Sequence, residues 1–157
     1  MADTKSTKRS GTARATRAVW SDEERAAMQE AARERKASSR RSPEEERAEG
    51  EREVRAKIAE MPEPDRGLAE RVHALVLMAA PDLAPRTYYG MPAYARDGKT
   101  VCFFRPASKF KERYSKLGFE QKANLDDGTM WATDFALTEL TPADEARITA
   151  LVRKAVG

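Results

Sequence analysis

The stretch YYGMPAYARDGKTVCFF, residues 88–104, decides the fold of this chain. Within it, Asp97-Gly98 separates two runs rich in aromatic and β-branched residues. Such a pair is the strongest short-range signal of a β-hairpin, because both central residues of the turn must adopt positive φ. The sequence therefore predicts antiparallel strands over residues 87–96 and 99–105.

Pairing these strands across the turn predicts a ribbon that is apolar on both faces. Tyr94 then lies opposite Val101 on one face, and Met91 lies opposite Phe104 on the other. A sheet covered by helices on one side only leaves its second face to be covered by the N-terminal helices, a partner or a ligand.

Capping motifs and apolar periodicity predict the remaining elements. Capping boxes at Ser21 and Ser42 begin two charged helices, and Gly50 is expected to weaken the second. Further elements follow over residues 65–80 (helix), 113–119 and 131–140 (strands), and from Thr141 (helix). The predicted fold class is α+β: a two-layer sandwich in which helices pack on one face of an antiparallel sheet of three to four strands, preceded by charged N-terminal helices.

Charge divides the chain into three predicted parts. Residues 1–42 carry 11 Lys/Arg against 6 Asp/Glu, a net charge of +5, whereas the rest carries −2. We expect a disordered basic tail over 1–19, a charged helical extension over 20–50 and the α+β domain over 51–157. The single cysteine, the polar N-terminus and the absence of a long apolar run predict a soluble cytoplasmic protein without a membrane segment.

The apolar sheet face predicts a ligand-binding surface, although the same side chains would also suit a plain core and turn. The predicted ligand-binding residues are Tyr88, Tyr89, Met91, Tyr94, Phe104 and Trp131. A nucleophile and base pair made of Cys102 and His73 is a weaker alternative, since no third residue is available to orient it. Without other catalytic motifs, the sequence favours a binding protein over an enzyme.

Three carboxylates are candidate ligands for a hard cation such as iron: Asp126, Asp127 and Asp134. Oxygen donors suit such a cation, but the spacing does not match an EF-hand loop. A polar turn explains the Asp-Asp-Gly sequence equally well.

Basic residues of the tail are the candidates for nucleic-acid contact: Lys5, Lys8, Arg9, Arg14 and Arg17. They could neutralise phosphates without sequence preference, which predicts weak, non-specific binding. Residues 109–116 also interleave cations with aromatic rings, a composition that suits phosphate contact and base stacking.

Residues 52–157 resemble a bacterial family, the domain-of-unknown-function 1801 or YdhG-like proteins. The resemblance is carried by Tyr89–Tyr94 (Tyr-Gly-Met-Pro-Ala-Tyr), together with Val101–Phe104, Lys109-Phe110 and Leu117–Phe119. It implies a frataxin-related α+β sandwich. One branch of the family is regarded as an iron chaperone, and related domains are described as DNA-binding.

The function predicted from the sequence is therefore a non-enzymatic binding protein of the YdhG-like family, with iron as a candidate cofactor. Its partner would be a small molecule, a metal ion or a protein. The alternatives are a nucleic-acid-associated protein that uses the basic arm and a small-molecule enzyme with an unrecognised site.

Overall fold

The computed structural model describes residues 19–39 and 41–157. These residues form a five-stranded antiparallel sheet, in which each strand pairs with the next one along the chain, with helices on one face; this confirms the predicted two-layer α+β class with one strand more than expected. The elements are α1 (Asp22–Ser38), α2 (Pro43–Ala59), α3 (Asp65–Ala79), β1 (Ala84–Tyr88), β2 (Met91–Arg96), β3 (Lys99–Arg105), α4 (Ala107–Phe110), β4 (Ser115–Phe119), β5 (Asp134–Leu137) and α5 (Pro142–Val156).

The additional strand arises from a second tight turn. Tyr89 and Gly90 both have positive φ, +52° and +75°, so they break the predicted strand 87–96 into β1 and β2. Asp97 and Gly98 have nearly the same angles, +53° and +75°, as the sequence predicts. Both pairs therefore make the kind of turn whose twist matches two-residue hairpins.

The predicted register between β2 and β3 is wrong beyond the turn. Tyr94 pairs with Cys102, not with Val101, because a bulge shifts the register between Tyr94 and Ala95. A shift of one residue moves side chains to the other face. Phe104 consequently shares the helix-covered face with Tyr94, while Met91 points to the opposite face.

The core lies between the sheet and the helices α2, α3 and α5, with Val54 as the fully buried contribution of α2. Its fully buried side chains include Phe104 and Leu117 from the sheet, Val72 and Val76 from α3, and Val152 from α5. This burial of apolar surface is the main stabilising contribution to the fold.

The opposite face of the sheet is covered in its middle by its own aromatic side chains. The half-buried ring of Phe103 lies over Gly118, where any Cβ would clash with it. Tyr88 lies beside it, with 5.9 Å between the two ring centroids.

Helix α2 is continuous through Gly50, the position at which the sequence predicts a weak point. A Cβ on Gly50 would overlap the Pro85 carbonyl oxygen, which means that glycine allows α2 to lie directly against the backbone of β1. The domain boundary expected between residues 50 and 51 thus falls inside a helix that packs on the sheet edge.

In the described part of the chain, no helix is both long and apolar enough to cross a membrane. The predicted tail, residues 1–19, lies outside the described residues except for Val19.

Candidate functional site

A cleft of about 640 Å³ separates α1 from α2 and β1. Of its seventeen described lining residues, nine are charged, five basic and four acidic. This volume lies within the range of pockets that bind small molecules.

Two tyrosines of β1 and its turn form the aromatic part of the cleft. Tyr88 and Tyr89 are half-buried, and their rings meet edge to face with 4.7 Å between centroids. Burial raises the pKa of the Tyr88 hydroxyl above its ordinary value, so this group stays protonated at neutral pH. The tyrosines offer an apolar surface and hydroxyl groups to a bound molecule.

Glu34 of α1 closes one end of the cleft. Its carboxylate accepts hydrogen bonds from the backbone N–H groups of Tyr89 (2.9 Å) and Gly90 (2.8 Å), one on each oxygen. Burial raises the pKa of Glu34, and these hydrogen bonds only partly offset that effect.

Glu30, one turn earlier on α1, lies between two lysines. Its carboxylate oxygens are 3.2 Å from Lys57 Nζ of α2 and 2.6 Å from Lys109 Nζ of α4. Burial acts to raise the pKa of Glu30, but the hydrogen bonds and charges of the lysines outweigh it and hold the pKa below its ordinary value. Helix α1 is therefore attached mainly through carboxylates.

Two charged side chains that line the cleft each contain a buried polar atom without a hydrogen-bond partner among the described residues. These atoms are Glu46 Oε2 and Arg86 Nε. The other Glu46 oxygen accepts from Ser38 Oγ at 2.8 Å, and the Arg86 terminal nitrogens donate to Gly98 O and Thr100 Oγ1. An unpaired buried polar atom costs about 1–3 kcal/mol, and such atoms are rare in native proteins.

The structure distributes the predicted ligand-binding residues over four regions. Tyr88 and Tyr89 line the cleft. Tyr94 and Phe104 are fully buried in the core, and Met91, also buried, lies on the opposite sheet face. Trp131 lies in the segment before β5, where 39% of its surface is exposed.

His73 is bonded to residues other than Cys102. Its Nδ1 is 2.8 Å from Tyr94 Oη, and its Nε2 is 2.9 Å from Glu51 Oε1. Cys102 is fully buried, which raises the pKa of its thiol to about 12. The thiol therefore lacks the thiolate character that a nucleophile needs.

The predicted metal ligands are dispersed on the surface. Asp126, Asp127 and Asp134 are all exposed. Over residues 19–39 and 41–157, no group of three or more His, Cys, Asp or Glu side chains is placed to hold a metal ion.

Several cations of residues 109–116 are paired with glutamates. Besides Lys109 with Glu30, the Lys111 Nζ lies 2.5 Å from Glu23. Lys116 lies 3.5 Å from Glu112, which also accepts a hydrogen bond from Arg105 at 2.7 Å. These pairs reduce the positive charge available to phosphates. The five basic residues predicted for nucleic-acid contact, Lys5, Lys8, Arg9, Arg14 and Arg17, lie outside the described residues.

Sequence patterns indicated Tyr88 and Tyr89 but not Glu30, Glu34, Glu46 or Arg86. The bonds from Glu34 to the turn span 55 and 56 residues of sequence, and no local motif indicates a pairing over such a separation. The capping box at Ser21 predicted the helix that carries Glu34, but its docking partner could not be read from the same pattern.

Comparison of the chain with protein-family models, curated proteins and solved structures finds no match. The YdhG-like resemblance and the functions that it implies therefore stay predictions.

Proposed function

We propose that this protein is a non-enzymatic, cytosolic binding protein that holds a small amphoteric molecule in the cleft between α1, α2 and β1. The observation that carries the proposal is a cleft with two tyrosines that is also lined by Glu46 and Arg86, whose buried atoms Glu46 Oε2 and Arg86 Nε have no hydrogen-bond partner among the described residues. Clefts that combine an apolar surface with a few polar groups are the usual sites for small ligands.

The chemistry of the lining residues defines the ligand. The terminal nitrogens of Arg86 already donate to Gly98 and Thr100, so Arg86 offers its positive charge and its Nε–H, which suit a carboxylate. Glu46 offers an anionic acceptor, which suits an ammonium or amide group. Tyr88 and Tyr89 suit an aromatic or aliphatic body, so a molecule resembling an amino acid satisfies all three requirements.

A binding role also agrees with the two residues considered for catalysis. Cys102 is buried with a raised pKa, and both ring nitrogens of His73 are engaged by Tyr94 and Glu51. A nucleophile needs an adjacent base and an accessible reacting atom, and this pair offers neither.

Calorimetric titration of the full chain with three matched probes tests the proposal. L-Phenylalanine carries both charged groups, 3-phenylpropionate lacks the amine, and phenethylamine lacks the carboxylate. We expect L-phenylalanine to bind at least about tenfold more tightly than either, because each charged hydrogen bond contributes about 1.5–3 kcal/mol.

Substitutions in the cleft then test which residue binds each charged group of the ligand. Arg86→Met should remove the preference over phenethylamine, and Glu46→Gln the preference over 3-phenylpropionate. Arg113→Met, a charge loss at an exposed position away from the cleft, should change neither. Equal affinity for all three probes, or equal effects of the three substitutions, would contradict the proposal.

A parallel titration with ferrous and ferric iron tests the iron-chaperone role that the resemblance implies.

A further inference from the structure

We propose that the turn between β1 and β2, together with Lys57 and Lys109, forms a binding site for a small dianion, and that α1 occupies this site with Glu30 and Glu34. We call these donors the turn site. It borders the cleft, but its donors differ from those proposed for the amphoteric ligand, so it does not depend on that proposal.

The backbone of the turn has the geometry of an anion site. Positive φ at both Tyr89 and Gly90 directs their consecutive N–H groups toward one carboxylate, that of Glu34, at 2.9 and 2.8 Å. Consecutive N–H groups in such turns form concavities that bind anions. The bidentate contact with Glu34 shows this turn binding a carboxylate.

Gly90 also leaves room for the second anionic group. A Cβ at this position would overlap the Glu30 carboxylate and would come within 2.7 Å of Lys109 Nζ. Any other residue would therefore displace Glu30 or Lys109 from the turn.

The two lysines supply the positive charge. Lys57 comes from α2 and Lys109 from α4, and both contact the Glu30 carboxylate. The donors of the turn site thus come from three separate elements and meet around two carboxylates, so two positive charges face two negative charges.

Helix α1 is weakly held apart from these contacts. Its buried residues are only Ala27 and Ala31, which remove little apolar surface from water. Glu34 is placed where burial opposes its ionised form, and the nearby charge of Glu30 adds to that effect. A dissolved dianion that satisfies the same donors can therefore compete with α1.

The ligand class follows from the groups that now fill the site. Two carboxylates four residues apart on a helix are matched either by a dicarboxylate or by the dianionic oxygens of a phosphate group. Lysine and backbone N–H groups bind both chemistries.

The test compares the full-length chain with Glu30→Gln/Glu34→Gln, which removes the internal competitor without truncation. Phosphate and glutarate are titrated separately at low ionic strength, and the amide resonances of Tyr89 and Gly90 are followed by NMR. We expect at least one dianion to bind the double variant about tenfold more tightly than wild type, since an internal ligand lowers apparent affinity by the fraction of sites that it occupies. The two titrations show which chemistry the site prefers.

Two controls separate the turn site from non-specific charge effects. Glu44→Gln/Glu45→Gln removes the same charge from the exposed start of α2 and should leave dianion affinity at the wild-type value. Adding Lys109→Met to the double variant should abolish the gain. If the double variant does not give a native amide spectrum, Glu30→Gln alone is tested, because Glu34 then still attaches α1 to the turn. This variant should bind a dianion more tightly than wild type, since Lys57 and Lys109 have lost their internal carboxylate partner. The proposal is overturned if neither dianion binds the glutamine variants more tightly than wild type, or if Lys109→Met leaves their affinity unchanged.

Discussion

At the scale of single residues, glycine in the β1–β2 turn meets two separate requirements. Gly90 has a φ of +75°, and it lies where a Cβ would overlap Glu30. Gly98 has the same φ, but beyond its chain neighbours no atom of the described residues lies within 4 Å of the position that its Cβ would take. The two glycines therefore share the backbone requirement, but only Gly90 is buried against Glu30 of α1 and Lys109 of α4.

This difference gives a matched prediction. Gly98→Ala should lower the free energy of unfolding by about 1–2 kcal/mol, because the left-handed region costs a residue with a Cβ about that much. Gly90→Ala should cost more and should also detach Glu30 from Lys109. Urea denaturation measures both values, and equal losses would contradict a contact between α1 and the turn.

At the scale of elements, the sequence predicted helices better than it predicted strand pairing. The N-cap residues Ser21, Ser42 and Thr141 give the starts of α1, α2 and α5, because a cap is a local hydrogen-bonding device. The register of β2 and β3 was missed because a bulge adds one residue without any marked change in composition. The turn at Tyr89-Gly90 was missed because the apolar run continues through it.

Gly50 shows the same limit inside a helix. On propensity alone it is a weak point of α2, whereas in the structure it lies so close to the β1 backbone that a Cβ would overlap the Pro85 carbonyl oxygen. Local rules describe an isolated helix and do not include the neighbour against which it packs.

Replacing helical glycines by alanine shows whether helix propensity or packing against β1 determines the effect of Gly50. Propensity favours alanine by about 1 kcal/mol, so Gly50→Ala would stabilise an unpacked helix. We expect it to destabilise the protein, because the new Cβ would overlap the Pro85 carbonyl oxygen. Gly67→Ala in α3 is the control, since its Cβ would meet only the exposed Glu63 carboxylate, which can move; it should be neutral or stabilising. The midpoint temperatures of thermal unfolding of both variants measure these effects. Stabilisation by Gly50→Ala would contradict the packing of α2 on β1.

At the scale of the whole molecule, the charged N-terminal helices complete the structure around the sheet edge. Helix α2 lies along β1, and α1 reaches the β1–β2 turn through Glu34. The sequence predicted a sheet with one helix layer and an aromatic surface in need of cover. It did not predict that a cleft would form between the extension and the sheet, because the contacts that define this cleft are polar and distant in sequence.

Both proposed sites depend on the contact between α1 and the β1–β2 turn. Amide hydrogen exchange in the wild-type chain tests it most directly, because the exposed amides at the tip of a hairpin turn are ordinarily little protected. The Gly98 amide, in a turn of the same shape, is the internal reference. We predict that the Gly90 amide, which donates to Glu34 at 2.8 Å, exchanges at least about tenfold more slowly relative to its intrinsic rate than that of Gly98. Equal, low protection of both amides in an otherwise folded sheet would contradict the docking of α1 and both sites built on it.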